Sequence, residues 1–506
     1  MNKRTLCLLA ALSCFCLTTI ADESPQASTI RVAVYGDSGA DGFKLFPPLL
    51  KDAQGIQTEV LNGEQIRDSS LDKFDLLILP GGSGSGQAKS LGTEGVKKVK
   101  RFIKSGKGLI AIGAGAYFTL DQDIINARTK DPRWDRGVTN LKIEFSELGL
   151  NIVGDKFKGE QEVSYCSGPV MDVNYSIIRP NSEVLAWFRT ETAQNGTPKG
   201  IQVNSPAIIL TAYGKGTVVV VSPRLEQTPS MKEVVVNLIR HVADNRCFGK
   251  EPPCVIRTEA SQPNPIVASA VKYMNAMGTV EWIPAEEIPW YSPSKKVSFH
   301  AGEKYKGIPY TQAGRYTSLE QFKTMLRTDE HGQSVYSGPF GAKQYRGTDC
   351  SSSCSYSWKH VIPYLPVMYT GNMGPGYLHI INPKTGKTVP IFRRVGDYRI
   401  TDFHKSKNVI EENGRPFMER CYDQLLPGDA LIKRPNGHVI MVCRVDQAAK
   451  VVYITEQGGT NPDDRSQFLS DHQTWRVQYP FTYDKLIEDG YLPIAINEEI
   501  LIVPEK

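Results

Sequence analysis

The chain has 506 residues, 40% of them hydrophobic, 22% charged and 9% aromatic, with 59 basic against 54 acidic side chains. That length predicts roughly two to four domains, each able to bury its own core. The composition excludes disordered, collagen-like and disulfide-scaffold classes. A net charge of +5 is too dilute for a nucleic-acid surface, so no nucleic-acid partner is expected.

Residues 1–21 read as an export signal: Lys3 and Arg4, an apolar stretch from Thr5 to Thr18, then the small-residue site Thr19-Ile20-Ala21. Cleavage is expected after Ala21, with lipid attachment at Cys14 as the alternative. No later stretch holds the ~18 uninterrupted apolar residues of a membrane span. The mature chain is therefore expected to carry no transmembrane segment and to be periplasmic, envelope-bound or extracellular. Cys166, Cys247, Cys254, Cys350, Cys354, Cys421 and Cys443 remain after cleavage, an odd number. In an oxidising compartment that leaves a thiol free for function. Cys247 and Cys254 are close enough to staple a tight loop.

Strands and helices alternate through the first mature region. Strands are expected at Thr29–Tyr35, Gln57–Leu61, Phe74–Leu79 and Gly108–Ile112, and helices at Phe43–Gln54 and Thr93–Ser105. A strand pair, Ala207–Ala212 and Thr217–Val221, and a helix, Met231–Asp244, complete a doubly wound α/β domain over 28–246. The proline-bearing stretch 247–264 reads as a linker. Beyond it, over 265–506, helices come first (Ile266–Met277, then Cys350–Ile362) and strands later, an α+β pattern.

The most informative run is Tyr345-Arg-Gly-Thr-Asp-Cys-Ser-Ser-Ser-Cys-Ser-Tyr-Ser-Trp358. Cys350, after Asp349 and before Ser351, sits where a helix begins, and a helix N-terminus favours the thiolate. A base is offered by His438, which opens the second strand of a strand–turn–strand over Leu426–Val442. The next strand, Val451–Gln457, offers Glu456 to orient the imidazole, or Gln457 in its place. The competing readings are a Cys350–Cys354 pairing, a core role for His438 and an exposed strand position for Glu456. No His, Cys or Asp spacing reads as a metal site, and no cofactor is expected.

Asp349-Cys350-Ser351, Pro427-Gly428-Asp429, His438-Val439, Glu456 or Gln457 and, ahead of them, Gly307-Ile308-Pro309-Tyr310 occur in an order that resembles the NlpC-type papain-like cysteine peptidases. That family cleaves bacterial cell-wall peptides. The resemblance implies catalysis by Cys350 and His438 with Glu456, a Tyr310 hydroxyl near the thiolate, and a substrate lined by Asp349, Ser351 and Gln457. Asp429 would serve the turn. The family usually has glycine after Asp-Cys-Ser, where this chain has Ser352.

In the first domain, Pro80-Gly81-Gly82, Gly113-Ala-Gly-Ala-Tyr117 and Ser222-Pro-Arg-Leu-Glu226 resemble class I glutamine amidotransferases, notably the amidotransferase-like domain of some biotin–protein ligases. In that subgroup Cys stands where this chain has Gly113 and His where it has Arg224; only Glu226 is retained. Glycine is no nucleophile and a guanidinium no base, so this site is expected to be inactive, a scaffold or a ligand site. The whole is expected to be an exported hydrolase of peptidoglycan stem peptides. The alternatives are a non-catalytic binding module and a cysteine amidase acting on other amides.

Overall fold

The computed structural model describes residues 29–131, 135–246, 250–289, 297–458 and 474–501. The export signal, Cys14 and Cys247 lie outside them. The apolar runs of the first region form the parallel half of a nine-stranded sheet: Ile56–Leu61, Ile30–Tyr35, Leu76–Leu79, Gly108–Ile112 and Gly216–Val221, in that spatial order. Both faces are covered. Val32, Val34, Leu76, Ile78, Ile110 and Ile112 feed one core, under the helix Lys232–Asp244. Their neighbours Ala33, Tyr35, Leu77, Leu79, Leu109 and Ala111 feed the other, under the helix Gly84–Lys104. Burial on two faces is why these strands read as continuous apolar runs rather than alternating ones.

The rest of the sheet departs from the expected doubly wound pattern. Pro206–Tyr213, Glu183–Phe188, Val138–Phe145 and Glu160–Cys166 extend it antiparallel. Two helices also differ. The one expected from Phe43 shrinks to Phe46–Leu50 after a turn of 3-10 helix, because Pro47 and Pro48 have no N–H to donate and fit only a first turn. The one expected from Thr93 starts at Gly84, where the Ser83 hydroxyl accepts from Gly86 N at 3.1 Å. Its break at Gly92 (φ +64) leaves only the second half with a readable apolar stripe.

The C-terminal region builds a seven-stranded sheet in the order Cys254–Val255, Phe392–Val395, Leu492–Ile496, Ala430–Lys433, His438–Asp446, Val451–Gln457, Trp475–Thr482. All pairs are antiparallel except the first. Of the expected linker 247–264, the described residues 250–264 are thus no free tether. They supply that edge strand, and Arg257 makes a buried ion pair with Asp429, the turn residue of Pro427-Gly428-Asp429. The helices Pro265–Thr279 and Cys350–Val361 share the core of this sheet.

The hairpin His379–Ile381 and Thr388–Pro390 reaches from the second sheet to the first. Ile381 enters the core of the nine-stranded sheet. The Thr388 and Thr217 hydroxyls lie 2.6 Å apart, and Gly386 O meets the His241 ring at 3.0 Å. This tongue makes the two units one packed body. Ile381→Ala is expected to cost about 2–5 kcal/mol in urea unfolding, the usual penalty of a core cavity. A change under about 0.5 kcal/mol, the size of an ordinary surface substitution, would contradict that.

Candidate active site

Asp349 starts the helix that carries the thiol. Its Oδ1 accepts from Ser352 N at 2.7 Å and from the Ser351 hydroxyl at 2.9 Å, while its own N–H donates to Ser352 Oγ at 2.8 Å. This reciprocal cap accounts for serine at 352 where the resembled family has glycine. Arg315 Nη1 holds the other carboxylate oxygen at 2.9 Å. Cys350 is therefore the first residue of a 12-residue helix, buried but for 7% of its surface. The serines behind it are buried at little cost, because Ser353, Ser355 and Ser357 donate to Cys350 O, Ser351 O and Ser353 O at 3.0, 2.7 and 2.8 Å. Cys354, a turn further on, is free and wholly buried, and desolvation raises its thiol well above the ordinary range.

His438 opens its strand opposite Lys433, and its Nε2 lies 2.5 Å from Glu456 Oε2. Burial disfavours the imidazolium. The Cys350 sulfur, as charge and hydrogen-bond partner, and then Glu456 outweigh burial and raise the imidazole to about 10. Glu456 is lowered: burial opposes its charge, but His438 and then Arg476 prevail. Arg476 Nη1 contacts the second Glu456 oxygen at 3.2 Å. The order sulfur, imidazole, carboxylate, guanidinium runs through one cluster, in which Cys350 and Glu456 are buried and His438 and Arg476 partly exposed. Arg476 is invisible from sequence spacing, because its register opposite Glu456 exists only once the two strands pair.

The choice between Glu456 and Gln457 is made by the sheet, since successive residues of a strand face opposite ways. Gln457 instead binds Thr348 Oγ1 through its Oε1 at 2.6 Å and Ile308 O through its Nε2 at 2.8 Å. Trp475 Nε1 donates to the same carbonyl at 2.7 Å. Gly307 must be glycine: its φ is +80, and a Cβ would lie 2.2 Å from the Trp475 ring. These contacts fix the Gly307–Tyr310 segment, whose last residue bridges Thr348, two positions before the thiol.

Asp349, Ser351 and Gln457, expected to line the substrate, are buried and their polar atoms are spent on the helix cap, on Arg315, on Thr348 and on Ile308. They hold the site together. Among the described residues no group of His, Cys, Asp or Glu side chains is arranged to hold a metal.

The raised imidazole sets a pH dependence. A group lifted from 6.5 to about 10 keeps its proton through neutrality and loses it as pH rises through about 10. Chemistry that needs imidazolium should fall on an alkaline limb near 10, and Glu456→Gln should move that limb down. A limb at the ordinary imidazole value in both proteins, read from kcat/KM against pH, would refute the charged pair.

The other candidate site is built differently. Gly113 turns the strand Gly108–Ile112 into the helix Ala114–Asp121 with φ +56. A Cβ there would meet Arg224 Cδ at 3.0 Å, and one at Gly81 would meet Arg224 Cζ at 2.1 Å. The arginine thus fills the room left by side chains absent at 81 and 113. Its Nε binds Glu226 Oε1 at 2.5 Å and its Nη2 binds Asp41 Oδ1 at 2.9 Å. Burial raises the Glu226 carboxyl, and Arg224 opposes that rise. A cavity of about 650 Å³, lined by Arg224, Tyr117 and Ser83, lies beside this pair.

Residues 49–134 match the family model of the DJ-1/PfpI family. This part of the chain has the class I glutamine amidotransferase-like fold. Solved structures similar to it include PurLQS from Thermotoga maritima (14% identity, TM-score 0.31, covering 42% of this chain and 98% of that one). A cytoplasmic protein from Salmonella typhimurium LT2 is also similar (12% identity, TM-score 0.29, covering 42% and 99%). No curated protein matches the chain. In this amidotransferase-like domain Arg224→Ala would strand a buried carboxylate. A loss of about 3–5 kcal/mol is expected, largely recovered when Glu226→Leu is added. Calorimetric unfolding of the three proteins would test this; an undiminished Arg224→Ala would show the pair to be idle.

Proposed function

We propose that the C-terminal region is an α+β papain-like cysteine amidase or endopeptidase acting on peptidoglycan stem peptides. In this reading it is exported by residues 1–21 and the amidotransferase-like domain is non-catalytic. The observation that carries the reading is His438, held between the Cys350 sulfur and the Glu456 carboxylate at the N-terminus of a capped helix. The order of the motifs supports the wall-peptide substrate, and Arg224 lying over Gly81 and Gly113 supports a first domain that does no hydrolysis.

The Cys350 thiolate attacks the amide carbonyl, and the backbone N–H groups of Cys350 and Ser351, the two at the helix start that lie outside the Asp349 cap, hold the oxyanion. His438 gives its proton to the departing amine, leaving a thioester on Cys350. Water then attacks the thioester, His438 takes its proton, and the acid leaves as the thiolate returns. Glu456, braced by Arg476, keeps the imidazole turned toward the sulfur throughout.

Cys350→Ala is expected to abolish release of peptides from purified sacculi, read by mass spectrometry, while Gly113→Ser leaves it within about twofold. Iodoacetamide at pH 6 should modify Cys350 in the folded protein and spare Cys354. Full activity in Cys350→Ala would overturn the mechanism. An inert, slowly labelled Cys350 would favour a binding module, and cleavage of other amides but not of sacculi would move the substrate elsewhere.

A further inference from the structure

Beside the tongue that joins the two units lies a cavity of about 540 Å³ walled by both. Lys104, Arg179, Tyr213 and Lys215 come from the first unit, Tyr369 and Tyr377 from the second. Arg179 is paired with Asp123, which also lines the space. The charged lining is three cations against one acid, so the cavity carries a surplus of positive charge. Lys104 Nζ sits 5.1 Å from the centre of the Tyr213 ring. Tyr369 is 50% exposed and Tyr377 36%, so both rings present a face to the space. Flat rings with a polar rim, set among cations in a concave space, suit a ligand with apolar ring faces, hydroxyls and carboxylates.

The wall bearing Tyr369 also touches both halves of the candidate active site. Met368 N donates to Ser355 Oγ, on the Cys350 helix, at 2.9 Å. Thr370 Oγ1 receives Arg434 Nη1 at 3.4 Å, and a Cβ on Gly437, the residue before His438, would lie 2.3 Å from that hydroxyl. A ligand ordered against Tyr369 is therefore held by the segment that packs on the nucleophile's helix and on the hairpin of the base.

We propose that this cleft binds an acidic saccharide, the glycan of the same polymer whose peptide enters at Cys350. The choice of occupant rests on the wall-hydrolase reading; the cleft itself does not. Binding there would align a long polymer across both units and give the amidotransferase-like domain a role that needs no nucleophile.

The test uses the full chain carrying Cys350→Ala, titrated calorimetrically with soluble wall glycan fragments that keep their carboxylates, with neutral chitin oligosaccharides and with inorganic phosphate. The carboxylated glycan is expected to bind at least about tenfold more tightly than the neutral one, and Lys104→Glu, Lys215→Glu and Tyr369→Ala each to weaken it about tenfold. With Cys350 restored, the same variants should cut a short free stem peptide as before but release less from sacculi. Equal binding of neutral sugar, binding of phosphate alone, or indifference to all three substitutions would overturn the cleft. Peptide cleavage without glycan binding removes the cleft and keeps the hydrolase; glycan binding that depends on Lys104 and Tyr369 without any peptide cleavage does the reverse.

Discussion

A sulfur, an imidazole and a carboxylate held together in a largely buried place are the constraint on which the C-terminal architecture turns. Desolvation works against the imidazolium, so it persists only where its partners are already in position. The first turn of the Cys350 helix places the sulfur, and the neighbouring strand places the Glu456 carboxylate. Neither is free-standing. The helix begins at the right residue because Asp349 caps it, and Asp349 is itself restrained by Arg315. Glu456 keeps its charge in the interior through His438 and Arg476.

The two units solve the problem of a buried charge in opposite ways. In the second, a carboxylate is left facing a titratable imidazole, and proton transfer stays available. In the first, Glu226 faces a guanidinium that cannot release its proton, so the pair is electrostatically settled. Arg224 fits because Gly81 and Gly113 carry no side chains. At Gly113 the strand turns into the helix Ala114–Asp121 with φ +56, a conformation glycine adopts without strain.

Much of this was legible in the sequence where the signal is local. Buried parallel strands announce themselves as short apolar runs, a helix start as Asp-Cys-Ser-Ser, and a strand opening as His438 after a turn. What was not legible depends on pairing between distant segments. Val138–Phe145 and Glu160–Cys166 do alternate, with Leu141, Ile143 and Phe145, and Val163 and Tyr165, turned inward, but their antiparallel place at the far edge of the sheet exists only through pairing with Glu183–Phe188 and with each other. Arg476 acquires its meaning only from the register that sets it against Glu456. The contacts of Asp349, Ser351 and Gln457 were not legible for a related reason: motif proximity to Cys350 says that a residue is needed there, not which of its neighbours it serves. Their partners, Arg315, Thr348 and the Ile308 carbonyl, come from segments far apart in the chain.

The same logic applies to how the amidotransferase-like domain sits against the second unit. A domain contributes shape and charge whatever its own chemistry, and the tongue from His379 to Pro390 fixes its position through Ile381 and Thr388. The wall from Val367 to Asn372 is then shared property: Val367 N donates to Ile177 O at 2.6 Å on one side, and Met368 and Thr370 bear on the Cys350 helix and on Arg434 of the His438 hairpin on the other. Because interiors are close-packed and transmit displacement, the placement of the first domain sets the placement of the wall against which the second domain's helix and hairpin rest. Loss of the first domain would therefore alter more than binding. It would remove the support on one side of the segment that abuts both the Cys350 helix and the residue before His438.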